Sequence, residues 1–254
     1  MQTMTSFLRN LAAAIVFYTR LPVPAAWLGD FEAVAKFAPI VGLLIGGMLA
    51  AIDGLLAVML PNLTRSAIVI LVWIAITGGL HLDGAIDTAD GMAVPDAERR
   101  LEVMADSAAG AFGVMAAVAI VALKIAALSD LHSGRGWILL LACGWGRWGQ
   151  QMAIARYPYL KATGKGAFHK AAIQSNRDTW PSLGLLLSLC GLVGWSDRWL
   201  WSAAAMLGSG IAVGVGAVLN DAIGGHTGDT YGATVEWTEA LFLVAMTGVA
   251  SSVG

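Results

Sequence analysis

The chain has 254 residues, of which 57% are hydrophobic and only 13% charged, and its mean hydropathy is +0.72. This excludes an ordinary water-soluble globule, and a formal net charge of −2 leaves no basic field for nucleic acid. The composition predicts an all-α protein, a single catalytic domain over residues 1–254 built as a polytopic transmembrane bundle of about seven spans behind an N-terminal amphipathic helix.

Residues 1–36 read as the amphipathic lead-in, with Arg9, Arg20 and Lys36 as its cations. Its apolar stretch, 11–18, is short and runs into Arg20-Leu-Pro-Val-Pro24 rather than small residues at a cleavage site. No cleavable signal peptide is therefore expected, and the prolines stop the helix. Apolar segments that approach the roughly 17–25 residues needed to cross a bilayer follow at 37–60, 67–82, 108–131, 137–155, 181–195, 199–219 and from 240 onward. In the first of them, Gly42, Gly46 and Gly47 would let neighbouring helices pack closely. Pro61-Asn62, residues 129–136 and Ser196-Asp197-Arg198 supply turns. Cys143 and Cys190 lie in apolar runs without metal-ligand spacing and read as packing residues.

Seven spans would place the lead-in and the polar segments 83–107, 156–180 and 224–238 on one side. Arg9, Arg20, Lys36, Arg99, Arg100, Arg156, Lys161, Lys165, Lys170 and Arg177 lie there, against Arg65, Arg135 and Arg198 opposite. The excess makes that side cytoplasmic by the positive-inside rule. Lys124 and Arg147 remain within spans, where a cation is costly and marks a functional candidate; snorkelling and interfacial anchoring are the plainer readings.

The chemistry concentrates in Gly78-Gly-Leu-His81-Leu-Asp83-Gly-Ala-Ile-Asp87-Thr-Ala-Asp90-Gly91. On a helix, at about 100° per residue, Asp83, Asp87 and Asp90 share a sector of roughly 60°. Like charges so close repel, and a hard dication that takes oxygen ligands relieves them, so the stretch reads as a magnesium site with a solvated helix end as the bland alternative. Asp106, before Gly110 and Gly113, could add a fourth oxygen, and Asp229 in Gly224-Gly-His226-Thr227-Gly228-Asp229 could bring a second acidic glycine-rich segment. The loop containing Lys161, Gly164, Lys165, Gly166 and His169 can close on phosphate or on anionic headgroups. His81 and His226 could move protons or serve as hydrogen-bonding fixtures. Carboxylate-held metal and phosphate-binding cations are the working parts of phosphoryl transfer.

These blocks, together with Tyr18-Thr-Arg20-Leu-Pro-Val-Pro24, Arg99-x-Leu-Glu102-x-Met-x-Asp106-Ser107 and Thr227-Gly-Asp229-Thr-x-Gly232-Ala233 with Glu236 behind it, resemble the cobalamin synthase family. The resemblance implies a magnesium-dependent transferase of the bacterial inner membrane, its site facing the cytoplasm among membrane lipids, with homo-oligomerisation left open. A ribose hydroxyl of α-ribazole, or of its 5′-phosphate, would attack the cobinamide-linked phosphorus of adenosylcobinamide-GDP and release GMP. It implies catalytic roles for Asp83, Asp87 and Asp90, with Asp90 the weakest choice of base, and metal ligation by these with Asp106 and Asp229. Substrate contacts fall to Arg20, His81, Arg99, Arg147, Lys165, Thr227, Gly228 and Glu236. Ala105, Ala108 and Asp221 depart from the family, which often carries cations there, and this weakens the case for phosphate contacts on those segments. A CDP-alcohol-type membrane phosphotransferase fits less well, because Thr88 stands where its motif needs Arg. A transporter would want its acids mid-span and a paired repeat.

Overall fold

The computed structural model describes residues 2–161, 165–193 and 198–251. Eleven α-helices and no strand occur among the described residues: α1 (Gln2–Tyr18), α2 (Val34–Leu56), α3 (Asn62–Thr77), α4 (Leu80–Met92), α5 (Ala97–Val103), α6 (Ala111–Asp130), α7 (Arg135–Arg156), α8 (Lys165–Ala172), α9 (Trp180–Val193), α10 (Arg198–Ile223) and α11 (Gly228–Ser251). The Ser196-Asp197 part of the expected turn lies outside the described residues.

The all-helical membrane architecture follows from this, but the expected seven spans do not. Among the described residues, four helical segments are long and apolar enough to cross a membrane, Phe31–Leu56, Ala111–Asp130, Arg198–Ile223 and Gly228–Ser251, and the bent pair α3 and α4 makes a fifth if taken as one span. The 14 residues of α9 reach about 21 Å at ~1.5 Å per residue, short of a bilayer core. Helix α7 is long enough, but it is buried over most of its surface, from Ile138 to Ile154, and forms the axis around which α2, α10 and α11 pack.

Small residues allow that packing. A side chain at Gly42 would strike the Cys143 carbonyl, and one at Gly46 would lie 2.5 Å from Leu140 Cα, so α2 and α7 touch backbone to backbone. Gly47, expected to share this role, faces open space. The expected span 67–82 is broken. Gly78 and Gly79 adopt φ values of +62° and +71°, which other residues rarely take, and α4 leaves the axis of α3 at 92°. The last helix starts at Gly228 rather than near 240, because its acids Glu236 and Glu239 are neutralised inside the bundle rather than exposed in a loop.

The two ends of the bundle are chemically distinct. At one end Arg135 grips Asp53 with Nε 2.9 Å from both carboxylate oxygens and also donates to Ser66 Oγ at 2.9 Å, while Arg65 Nε lies 3.4 Å from Asp53. All four residues are at least nine-tenths buried. At the other end the polar segments converge: Arg20 N–H donates to Ile76 O at 2.7 Å, Gly110 N–H to Asp90 at 2.7 Å, and Leu160 N–H to His226 O at 2.8 Å.

Candidate functional site

The site forms where α4 crosses the start of α11. A Cβ on Gly84 would lie 2.6 Å from Asp229 O, and one on Gly232 would lie 2.9 Å from His81 O, so only glycine lets the two backbones meet. Thr227 starts α11 as its N-cap: its hydroxyl accepts from Asp229 N–H at 3.2 Å and Thr230 N–H at 3.3 Å, and donates to Asp229 Oδ2 at 3.2 Å. The Asp229 carboxylate is thereby aimed. A short bridge pairs Tyr159 with His226, and His226 N–H donates to Pro158 O at 2.8 Å, which carries Lys161 to 3.0 Å from Asp229 Oδ2.

These elements enclose a cavity of about 270 Å³, lined by Asp83 and Gly84 from α4, by Gly228 and Asp229 from α11, by Tyr159 and Lys161 from the loop, and by a deeper wall of aromatic and polar side chains. Asp83 is exposed, and the Asp229 and Lys161 side chains are partly so, which places the charged groups at the mouth. Asp83, Asp229 and Asp90 all lie near enough to Asp87 to repel its charge, with Lys161 as the opposing cation. Asp83 and Asp229, far apart in sequence, thus face a single space.

Of the carboxylates expected to hold metal, Asp90 and Asp106 are engaged at the start of α6. Asp90 Oδ2 accepts from Gly110 N–H at 2.7 Å and Oδ1 from Gly113 N–H at 2.8 Å, so this side chain caps α6. Asp106 is exposed, and its Oδ1 accepts from Ala108 N–H at 3.0 Å. Among the described residues, no three His, Cys, Asp or Glu side chains stand close enough to hold a metal ion by themselves.

Several expected substrate contacts lie elsewhere. Arg147 is fully buried behind the cavity wall; it pairs with Glu239, and its Nη2 lies 3.5 Å from His81 Nδ1. Glu236 accepts from Lys124 at 2.7 Å, and Lys124 also reaches Glu239 at 2.5 Å and sits 4.2 Å over the Trp73 ring. Glu236 is therefore part of a buried charge network rather than a cavity ligand, because a cation held inside the bundle demands a counter-charge. Arg20 is exposed, with its stem laid over Gly78, and Arg99 is exposed on α5. Its neighbour Arg100 is anchored, donating to Val94 O at 2.9 Å and Ala222 O at 2.5 Å. The Lys165 side chain and Gly164 fall outside the described residues. His226 is a fixture: Nε2 lies 3.1 Å from Gly216 O and Nδ1 2.9 Å from Thr230 Oγ1, and burial pushes its pKa down to about 4.

Sequence reasoning missed Lys161 as the partner of Asp229, missed Gln150 and Tyr231, and did not foresee that Tyr18 and His169 share a cavity wall with them. The Tyr157-Pro-Tyr159 run held the available signal, since Tyr159 is the residue paired with the Gly224-Gly-His226 segment.

A family model described as cobalamin-5-phosphate synthase matches residues 10–247. The adenosylcobinamide-GDP ribazoletransferase of Trichormus variabilis is 57% identical over 244 residues, which cover 94% of this chain and 97% of that protein. The protein of the same name from Synechococcus sp. is 51% identical over 242 residues, 94% of this chain and 96% of its own. That of Thermosynechococcus vestitus is 49% identical over 247 residues, 96% and 98% of the two chains. No solved structure gives a significant match.

Proposed function

The chain belongs to the cobalamin-5-phosphate synthase family, and on that premise we propose that it is an adenosylcobinamide-GDP ribazoletransferase whose chemistry takes place at the mouth of the cavity between α4 and α11. The observation that carries this reading is the convergence of Asp83 and Asp229, with Lys161, on one space that also has room for an acceptor. The acceptor is α-ribazole or its 5′-phosphate. A ribose hydroxyl oxygen forms the new bond to the cobinamide-linked phosphorus, the bond from that phosphorus to the bridging diphosphate oxygen breaks, and GMP leaves with the bonding pair.

Lys161 offsets phosphate charge at the mouth. Asp229 is tied to Lys161 and Thr227, so the carboxylate facing the cavity without such a partner is Asp83, and it takes the hydroxyl proton. Asp87 and Asp229, beside Asp83, are hard oxygen donors that suit magnesium. That ion is commonly held by one or two carboxylates together with substrate phosphates and water, so a complete protein cage is not required. When bound, magnesium would neutralise charge on the diphosphate. Asp90, turned to the start of α6 with a backbone N–H on each oxygen, and Asp106, exposed before α6 with Ala108 N–H on Oδ1, are left out of this donor set.

The cavity end faces the cytoplasm of a bacterial inner membrane in this reading, since Arg20, Arg100, Lys161 and Lys170 stand at that end, whereas Arg65 and Arg135 at the other are neutralised by Asp53. Purified protein in detergent should release GMP only when adenosylcobinamide-GDP and ribazole are both present, and Asp83→Asn should lose the activity while remaining folded. Undiminished turnover by Asp83→Asn, or release of CMP from a CDP-alcohol instead, would overturn it.

A further inference from the structure

The inner part of the cavity carries more polar equipment than transfer at the mouth requires. Tyr18, His81, Gln150, His169 and Tyr231 line it and are each at most 4% exposed. Each has an atom without a hydrogen-bond partner: the two tyrosine hydroxyls, His81 Nε2, Gln150 Oε1 and His169 Nδ1. Tyr18 and Gln150 approach one another but miss hydrogen-bond geometry. Buried polar atoms are nearly always paired, so five orphans around one space mark a surface completed by a ligand.

That surface is uncharged. A guanidinium only donates, so Arg147 Nη2 obliges His81 Nδ1 to accept, and the ring is neutral with its hydrogen on Nε2. Burial pushes the pKa of His169 down to about 4, so it too is neutral near pH 7. Aromatic faces complete the wall: Tyr18 stacks on His81 and His169, with ring centroids 5.8 and 6.2 Å apart, and Tyr159 on Tyr231 at 5.9 Å. The whole cavity, mouth included, is about 270 Å³, just under the roughly 300–1,000 Å³ typical of drug-sized ligands, a scale that suits a base with its sugar and not a corrinoid.

We propose that the inner cavity is a nucleoside subsite, in which His81 Nε2–H, the Gln150 amide and the Tyr18 and Tyr231 hydroxyls bind the hydroxyl and ring-nitrogen atoms of an uncharged base and ribose while phosphates stay outside with Lys161. The proposal rests on the transferase reading, which supplies two nucleosides of this chemistry: the ribazole acceptor and the guanosine of the leaving nucleotide.

The test uses the full chain in detergent, with Gln150→Leu and the isosteric Tyr18→Phe. Calorimetry with ribazole alone and with GMP alone, alongside KM for each substrate, should show one nucleoside weakened about tenfold, as expected for one lost hydrogen bond. A shift confined to ribazole assigns the subsite to the acceptor, and a shift confined to GMP assigns it to the donor. Variants that keep the wild-type melting temperature and leave both affinities and both KM values unchanged would overturn the subsite. Failure of the wild type to release GMP from both substrates would instead overturn the transferase reading, and the calorimetric arm would still judge the cavity.

Discussion

Replacing Glu239 with Gln tests the buried charge network directly. Glu239 is fully buried and pairs with both Arg147 and Lys124, themselves 0% and 3% exposed, while Glu236 pairs with Lys124 alone. Two cations and two carboxylates balance; the amide leaves one positive charge uncompensated away from water. Removing one partner of a buried pair costs about 3–5 kcal/mol. For a chain of this size each kcal/mol moves the melting temperature by about 2–4 °C, so thermal unfolding in detergent should fall by roughly 6–20 °C. Adding Lys124→Met to Glu239→Gln restores neutrality and should recover part of the loss, which makes the two substitutions non-additive. A Glu239→Gln protein melting within about 1 °C of the wild type, or a double variant whose losses simply add, would refute the network as an energetic unit.

Gly84→Ala forces a methyl group to within 2.6 Å of the Asp229 carbonyl; it should destabilise by about 1–3 kcal/mol, and GMP release should fall more steeply than stability because the crossing sets Asp83 of α4 against Asp229 of α11. Asp90→Asn should cost about 1 kcal/mol through the weakened cap of α6 and leave substantial turnover, in contrast to Asp83→Asn; equal loss in both variants would return Asp90 to the reaction. His169 and His226 have ordinary pKa values of 6.5 and folded values of about 4, so the unfolded chain takes up their protons first as pH falls. Stability should hold above about pH 6.5 and decline toward pH 4, with a shallower decline in His169→Phe; a melting temperature flat across that window would contradict the burial of these rings.

What was legible in the sequence was local. The spacing of Asp83, Asp87 and Asp90 foretold a helix with one acidic face, and α4 is that helix. Glycines at 78 and 79 opened that motif, yet nothing in the chain marked them as a right-angled break, because left-handed backbone is decided by what lies beyond it. Pairings across the fold were hidden. Nothing near Glu236 in the chain says that Lys124, on another helix, draws it inward, and nothing near Asp90 announces that the N–H groups of Gly110 and Gly113 will occupy both of its oxygens. The deep wall was the least visible part, since Tyr18, Gln150, His169 and Tyr231 come from four separate helices and no spacing in the chain says that they meet.

The grip of Arg135 and Arg65 on Asp53 has a mechanical consequence. It clamps α2, α3 and α7 together at the end remote from the cavity, like the rivet of a pair of tongs. The seam where Gly84 of α4 meets Gly232 of α11 lies outside that clamp. The clamp and the seam are thus mechanically separate, and a disulfide engineered between α4 and α11 should slow GMP release, whereas one at the rivet should not.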